Sequence, residues 1–368
     1  MAKYLQTRLS RGVGLTDLMV GLAIGLLTML IILKVAILFE ARRKSTVGIV
    51  DAQQNVAIAV SLISRELRMA GQGLGPVDSL GCSIAHDLGK SLGEISLVPV
   101  IIIDGNKGAP DEIRIFSSAT RQITVASFLL NAHAVSDKSM QIDSTLGIQP
   151  NDYLLLYESG KPCSLVQATA ISPGTYRVDH SSMPFLSTAN NGTGNLRESL
   201  AASDYAAGSL VINLGSLHLV RYATDSNNHL QTSRYIWTSS LWQTAGMASG
   251  IVSLQAQYGF DDRSGLQTSP QVTFWSSSLI DADGNKKIGD ANDLKRLIAI
   301  RFAVVARSNE RNDQGCNADL PQWTAGDPST GKLKLVDIDL THVADWNCYR
   351  YRVLEAEVPL RNLIWNDS

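Results

Sequence analysis

The sequence has little of what most enzymes and nucleic-acid binders need. It holds six His and four Cys among 368 residues, too few and too scattered for an obvious metal cluster. Its 32 Lys and Arg stand against 34 Asp and Glu, whereas a general nucleic-acid binder of this size would carry a basic excess. The motifs Gly-x-Ser-x-Gly, the Walker loop and His-Glu-x-x-His are absent. These absences favour a non-enzymatic protein with no cofactor, metal site or nucleic-acid partner.

Wholesale disorder is also excluded, because 45% of the residues are hydrophobic and 18% are charged. The apolar residues are concentrated near the start. No charge occurs from Leu18 to Leu33, Lys34 interrupts the run, and Val35–Phe39 resumes it. A helix over Leu18–Phe39 would be about 33 Å long, enough to cross a bilayer with Lys34 reaching the outer interface. Three basic residues lie on either side of the run, so the charge bias leaves its orientation open.

Asp17 lies at the end of this run that enters the membrane, five residues after Gly12. A lone carboxylate at hydrocarbon depth costs about 3 kcal/mol, so a partner for it is expected. Residues 11–25 resemble the class III prepilin signal of type IV pilins and type II secretion pseudopilins. That signal has a basic leader, Gly, an apolar residue, three further residues, an acid and an apolar helix. Here Val13 stands where the family usually has Phe, and Asp17 where it has Glu.

The resemblance implies a role for each of these residues. A prepilin peptidase would cleave after Gly12, and Val13 would become the N-methylated terminus. The Asp17 carboxylate would pair with the terminal ammonium of an adjacent subunit, although Asp is one methylene shorter than Glu. Gly21 and Gly25, four residues apart, would permit close helix packing, or they are simply small residues of a membrane helix.

A helical pattern continues beyond the membrane segment. Apolar residues recur at spacings of three and four: Ile49, Ala52, Val56, Ala59, Val60, Ile63, Leu67 and Ala70. The glycine-rich stretch Gly71–Pro76 predicts the end of the helix. One helix over Val13–Ala70 would be about 87 Å long, and its outer half would bury the apolar stripe against a globular head.

The rest of the chain reads as a loop-rich β head, which gives an α+β fold with a long N-terminal helix. We predict a leader at 1–12, a membrane and assembly helix at 13–39, an amphipathic helix at 40–70 and a head at 77–368. Ser187–Glu198 and Asn309–Lys332 are predicted to be loops. The predicted strands are Ile95–Ile103, Glu112–Phe116, Gln122–Leu129, Tyr153–Tyr157, Leu210–Leu214, Ser216–Tyr222, His229–Trp237, Val252–Tyr258, Leu297–Ala306 and Tyr349–Leu360.

Four further segments resemble PilW-type minor pilins, in the expected order along the chain. They are Arg65–Gly71 followed by Gly81-Cys82, the strand Val252–Asp261, the strand Arg296–Arg307, and Arg352-Val353 with Val358–Leu363. The resemblance implies a minor pilin that helps to initiate type IV pilus assembly and lies in or near the pilus tip. It implies an inner-membrane anchor with a periplasmic head, and later a place in the surface pilus. The implied partners are other minor pilins, the major pilin, the peptidase and a tip adhesin.

Two alternatives stay open. One is a minor pseudopilin of a type II secretion system, although the length favours the pilus subunit. The other is a signal-anchored periplasmic enzyme or binding protein. A cleaved secretory signal is less favoured, because the run is long and no Ala-x-Ala-like site follows it.

The cysteines Cys82, Cys163, Cys316 and Cys348 all follow the membrane segment, which fits an oxidising periplasm. Of three connectivities we choose Cys82–Cys163 and Cys316–Cys348; free thiols are the alternative.

The acidic stretch Asp281–Asp293 is the best metal candidate, because oxygen ligands alternate along it. Gly284 is misplaced for an EF-hand and Asn292 stands at the twelfth position, so an ordinary Asp/Gly turn is favoured over calcium. The histidines are predicted to be surface or sheet-face residues, with His218 facing solvent. The six tryptophans are core residues or form a partner surface.

Overall fold

The computed structural model describes residues 14–84, 95–118, 126–134, 136–182, 204–237, 241–263, 270–311 and 315–364. The predicted processing residues Gly12 and Val13 lie outside these ranges, as do the predicted loop Ser187–Glu198 and Trp365. The described chain has an α+β architecture, with an apolar helical N-terminus and a sheet-rich body.

The helices are α1 Leu15–Met69, α2 Ala291–Arg296 and α3 Arg361–Ile364. The strands, in chain order, are β1 Ser83–Ile84, β2 Ile95–Ser96, β3 Val100–Ile103, β4 Glu112–Ser118, β5 Ser127–Phe128, β6 Ser139–Gln141, β7 Tyr153–Tyr157, β8 Ser164–Ser172, β9 Arg177–Ser182, β10 Leu210–Gly215, β11 Leu217–Thr224, β12 His229–Ile236, β13 Leu241–Ser249, β14 Ile251–Phe260, β15 Phe274–Ser276, β16 Leu297–Arg307, β17 Gln322–Gly326, β18 Leu333–Asp337 and β19 Tyr351–Pro359.

Helix α1 ends at the glycine-rich stop that the sequence predicts. Gly71 has a φ of +77°, a left-handed conformation that costs a residue with a Cβ atom about 1–2 kcal/mol. Its N–H donates to the Phe116 carbonyl of β4 at 2.9 Å. The Asn362 side-chain amide donates to the Ala70 carbonyl at 3.0 Å. The end of α1 is therefore hydrogen-bonded to both β4 and α3.

The two parts of α1 have different surroundings. We call residues 15–47 the stem and residues 48–69 the docked segment, because burial against the body begins at Gly48. The docked segment packs mainly on β16 and β19. The predicted apolar stripe is confirmed as the face that packs, with only Ile49 half-buried; the buried members are Ala52, Val56, Ala59, Val60, Ile63 and Leu67, followed by Ala70.

Two antiparallel sheets form the body. Their strand orders are β15-β14-β16-β19 and β13-β12-β11-β4-β3. Side chains of β16 divide between two cores: Phe302 and Val304 join the main core with α1, while Ala303 and Val305 join a smaller core beneath β17 and β18. A hydrogen bond links the two sheets: the Ile102 N–H donates to the Tyr258 hydroxyl at 2.6 Å.

A third sheet is an insertion in the five-stranded sheet. Strands β4 and β11 are neighbours, with Ser118 paired to Leu217, yet residues 119–216 separate them in the chain. The inserted sheet has the order β5-β10-β7-β8-β9-β6. A bridge between Leu129 and Ile142 joins its two edges, so the sheet closes on itself. We call the described part of 126–215 the inserted barrel, and its interior residues are Leu129, Met140, Ile142, Leu154, Leu156, Val166, Ala168, Val178, Tyr205 and Val211.

Some strand predictions were wrong in extent. The predicted strand Ile95–Ile103 is two strands, β2 and β3, because it is interrupted around Pro99, which has no N–H for a ladder. The predicted loop Asn309–Lys332 contains β17, whose Trp323 is buried in the small core. Strands β8, β9 and β13 lie in polar segments where no strand is predicted from sequence. Of the predicted strand Gln122–Leu129, the described part contains β5 alone.

Candidate assembly surface

The stem presents apolar surface around its whole circumference. The large apolar side chains from Leu18 to Phe39 are 55–71% exposed. By length and composition two segments of α1 could cross a membrane, Leu15–Glu40 and Thr46–Met69. The first has no buried residues in its apolar window, whereas a third of the second is buried. A continuous apolar surface of this size marks contact with lipid or with other protein.

Asp17 lies at the start of this surface and is exposed. Its Oδ2 accepts a hydrogen bond from the Gly14 N–H at 3.3 Å. The carboxylate therefore satisfies one of the N–H groups that the first helical turn leaves open, and its negative charge suits the helix N-terminus. A carboxylate accepts through two oxygens, so this contact leaves capacity for a cation from outside the chain.

A stripe of small and polar residues runs along the helix from Asp17. Gly21, Gly25 and Thr28 follow it at spacings of four, four and three, which places all four on one face. A Cβ atom at Gly21 or Gly25 would meet nothing within 4 Å. The Thr28 hydroxyl donates to the carbonyls of Ile24 and Gly25 at 3.0 and 2.9 Å, so it is satisfied within the helix. This face is open to the close approach of another helix.

The outer end of the stem carries the first charges after Asp17. Lys34 is exposed on the helix surface, about 26 Å from Asp17 along the axis. Glu40 forms a bidentate ion pair with Arg43, each oxygen lying 3.1 Å from a guanidinium nitrogen. These charges lie beyond the uncharged run from Leu18 to Leu33.

The structure contains two disulfides, Cys82–Cys163 and Cys316–Cys348, the pairing chosen from the sequence. The first joins the segment after α1 to the β7–β8 connection of the inserted barrel. The second closes the chain between β16 and β19, and its Cys348 sulfur lies 3.4 Å from the Arg311 guanidinium. Cross-links over 81 and 32 residues restrict the unfolded chain.

The acidic stretch of the sequence folds into a tight loop. The carboxylates of Asp281, Asp283 and Asp293 offer oxygens within 4.8 Å of one another. Asp281 already accepts from the N–H groups of Gly284 and Lys286, at 2.7 and 2.8 Å. Buried Asp293 accepts from the N–H of Ala282 at 2.6 Å and of Gly289 at 2.8 Å. The loop thus uses its carboxylates to hold its own backbone, as an Asp/Gly turn does.

The histidines are predicted from sequence to be surface or sheet-face residues, and the surface alternative is wrong for two of the described ones. His133 and His180 are 2% and 3% exposed, and their Nε2 atoms lie 2.9 Å apart inside the inserted barrel. His218, predicted to face solvent, is half-buried. The sequence did contain one signal: His180 follows Val178 by two residues, and alternate residues of a strand share a face.

Most described tryptophans are core residues. Trp237, Trp275 and Trp323 are buried, and Trp242 and Trp346 are half-buried against the cores. The described part of the chain therefore gives no tryptophan platform on the surface. The binding surface that stands out is the stem.

Comparison with known proteins identifies one family. Residues 188–362 match the family model described as PilW, Type IV Pilus-assembly protein W. Over these residues the chain is similar to PilW proteins. This finding confirms the PilW-type resemblance predicted from sequence, over just under half the chain. Within the matched range lie β14 and β16, two of the strands on which that resemblance rested. No curated protein and no solved structure matches the chain.

Over residues 188–362 the chain is therefore similar to a family of type IV pilus assembly proteins. The pilus system is associated with the cell envelope, and the apolar N-terminal helix could anchor in a membrane.

Proposed function

We propose that this chain is a minor pilin that takes part in initiating type IV pilus assembly and lies in or near the pilus tip. One observation carries the proposal: α1 exposes an apolar stem with Asp17 at its first turn, while its docked segment is packed on the body. A stem of this kind needs lipid before assembly and other helices after it. The match to PilW supports the same role.

The mechanism is mechanical and involves no catalysis by the chain. A prepilin peptidase removes residues 1–12, Val13 becomes the N-methylated terminus, and the stem holds the protein in the inner membrane with its head in the periplasm. When subunits associate, the stems leave lipid and pack side by side. The partners are other minor pilins and the major pilin, and at the tip an adhesin.

Asp17 gives this packing its axial register. As a neighbouring subunit arrives, its terminal ammonium pairs with the Asp17 carboxylate, and the two charges neutralise each other in an apolar surrounding. The Gly14 N–H already fixes the position of one carboxylate oxygen. The small face at Gly21 and Gly25 lets the helices approach closely near this ion pair.

Replacing Asp17 by Ala tests the proposal. We expect the variant to be made, processed and inserted normally, while surface pili fall at least tenfold, because the ammonium of the neighbour is left unpaired in an apolar core. The Asp17→Glu variant should retain pili, since it keeps the charge. Sheared surface pili are quantified against total cell pilin.

Glu40→Ala is the matched control, because Glu40 is an acid of the same helix that pairs with Arg43 on its own chain. It should leave piliation unchanged. Normal piliation in Asp17→Ala would refute the assembly role. Lost exoprotein secretion with intact pili would instead assign the chain to a type II secretion system.

A further inference from the structure

The inserted barrel encloses a pair of histidines at one end. On β9, His180 faces the interior because it is two residues from the interior residue Val178. His133 is held opposite by backbone hydrogen bonds in both directions with Tyr205, each 2.9 Å long. The Nε2 atoms of the two imidazoles are 2.9 Å apart, and the ring centroids are 5.0 Å apart. Both side chains are almost completely shielded from water.

This contact requires one of the two rings to be unprotonated at Nε2. One imidazole donates its Nε2–H and the other accepts through an unprotonated Nε2. Among the described residues, no side-chain or backbone group lies within hydrogen-bond geometry of the buried Nδ1 atoms of the two rings. A further proton must therefore either place two N–H groups face to face or create a buried N–H⁺, which the backbone of His133 and of Ser181 compensates only in part. Both outcomes are costly in an apolar interior.

The charged groups around the pair do not offset this cost. The negative charge of Asp137 raises the pKa of both rings. The charge of Asp204 raises the pKa of His133, and that of Asp179 raises the pKa of His180. Asp137 is already engaged by the Ala134 N–H at 2.8 Å, and Asp179 by Arg177 at 2.7 Å. Burial lowers the pKa of His133, and it lowers that of His180 to about 4 with a further contribution from His133.

We propose that the His133–His180 pair makes the inserted barrel acid-sensitive: proton uptake below about pH 6.5 opens this end of the barrel while the body stays folded. The barrel stays attached when it opens, because Cys82–Cys163 and the paired Ser118 and Leu217 join it to the body. The inference concerns the barrel alone and does not depend on the proposed function.

The direction of the effect follows from proton linkage. A histidine whose pKa is lowered in the folded state stabilises that state above its ordinary pKa, and the stabilisation is lost as the pH falls. The window for His180 runs from 6.5 down to about 4. His180 alone should therefore raise the opening equilibrium roughly 30-fold between pH 7.5 and pH 5.

Hydrogen–deuterium exchange of the full-length protein in detergent measures this opening. Rates at pH 7.5 and pH 5 are each divided by the intrinsic rate at that pH. Peptides from β8 and β9 report the barrel, and peptides from β14 and β16 report the body. We expect the barrel peptides to lose at least tenfold of their protection at pH 5 while the body peptides keep theirs. Unchanged protection in the barrel, or an equal loss in both regions, would overturn the proposal.

Variants separate the histidine pair from a general effect of acid. In His133→Gln/His180→Gln, amides that do not titrate in this range replace both rings, and the pH response of the barrel should disappear. The single variant His180→Gln should retain only the part due to His133. The control is His229→Gln, an exposed residue 3.4 Å from Asp225, which should respond as wild type. A wild-type response in folded His180→Gln would also overturn the proposal.

Discussion

The stem and the docked segment belong to the same helix, yet the stem is apolar on all sides from Leu18 to Leu33, whereas the docked segment is apolar mainly on the side that packs on the body. In the stem, the large apolar side chains from Leu18 to Phe39 point in every direction and are exposed. In the docked segment, most apolar residues form one buried face, and the exposed remainder includes Val50, Ile58 and Met69. A stripe fits a single fixed partner, here the body, whereas an all-round apolar surface needs surroundings on every side. The distribution of apolar residues around a helix thus indicates on how many sides the helix is in contact with protein or lipid.

The largest effect is expected when one side chain is truncated in the docked segment and one in the stem. Ile63→Ala, in the docked segment, should lower the free energy of unfolding by about 3 kcal/mol, because a fully buried side chain leaves a cavity. Ile24→Ala, in the stem, should change it by less than about 0.5 kcal/mol, because the side chain contacts only the surroundings. Denaturant unfolding in detergent, followed by fluorescence of the buried body tryptophans, gives both values.

Equal losses of stability in the two variants would contradict the division of α1. They would mean that the stem also packs on the head.

A smaller effect distinguishes a glycine of the stem, Gly25, from Gly71, which follows the docked segment. In Gly71→Ala a Cβ atom would meet Pro99 at 3.3 Å with φ at +77°, so the unfolding free energy should fall by about 1–2 kcal/mol. Gly25→Ala, which meets nothing within 4 Å, should not lower head stability but should reduce surface pili severalfold if stems pack closely there. Thermal unfolding and pilus quantification are measured on both variants.

Unaltered piliation in Gly25→Ala would show that this face of the stem is not a helix contact. Unaltered stability in Gly71→Ala would show that the end of α1 is less fixed than the Gly71 and Asn362 hydrogen bonds indicate.

The sequence predicts those parts of the fold that a local pattern specifies. The spacing of Val56, Ile63 and Leu67 predicts which face of α1 is buried, and the glycine run predicts where the helix ends. The apolar strand Leu297–Ala306 is found at nearly the same bounds as β16. The two apolar patterns report the hydrophobic effect acting on neighbouring residues, and the glycine run reports backbone conformational freedom.

Features that depend on distant pairing could not be predicted in this way. Strands β8 and β9 contain many small and polar residues and become strands through their neighbours in the barrel. The bridge that closes the barrel joins Leu129 to Ile142, and no periodicity encodes it. The His133–His180 contact joins residues 47 apart in the chain. The acidic sequence Asp281–Asp293 predicts a turn, which the structure contains, but it does not predict the short helix α2 at its end.

The central claim is that the stem carries a processed N-terminus into contact with Asp17 of another subunit. Intact mass and N-terminal peptide mapping of the protein extracted from membranes test it most directly. We predict a chain that begins at Val13 and carries one added methyl group on its terminal amine. A chain that retains residues 1–12, in cells that process other prepilins, would contradict the claim and leave a protein anchored by its uncleaved N-terminal helix.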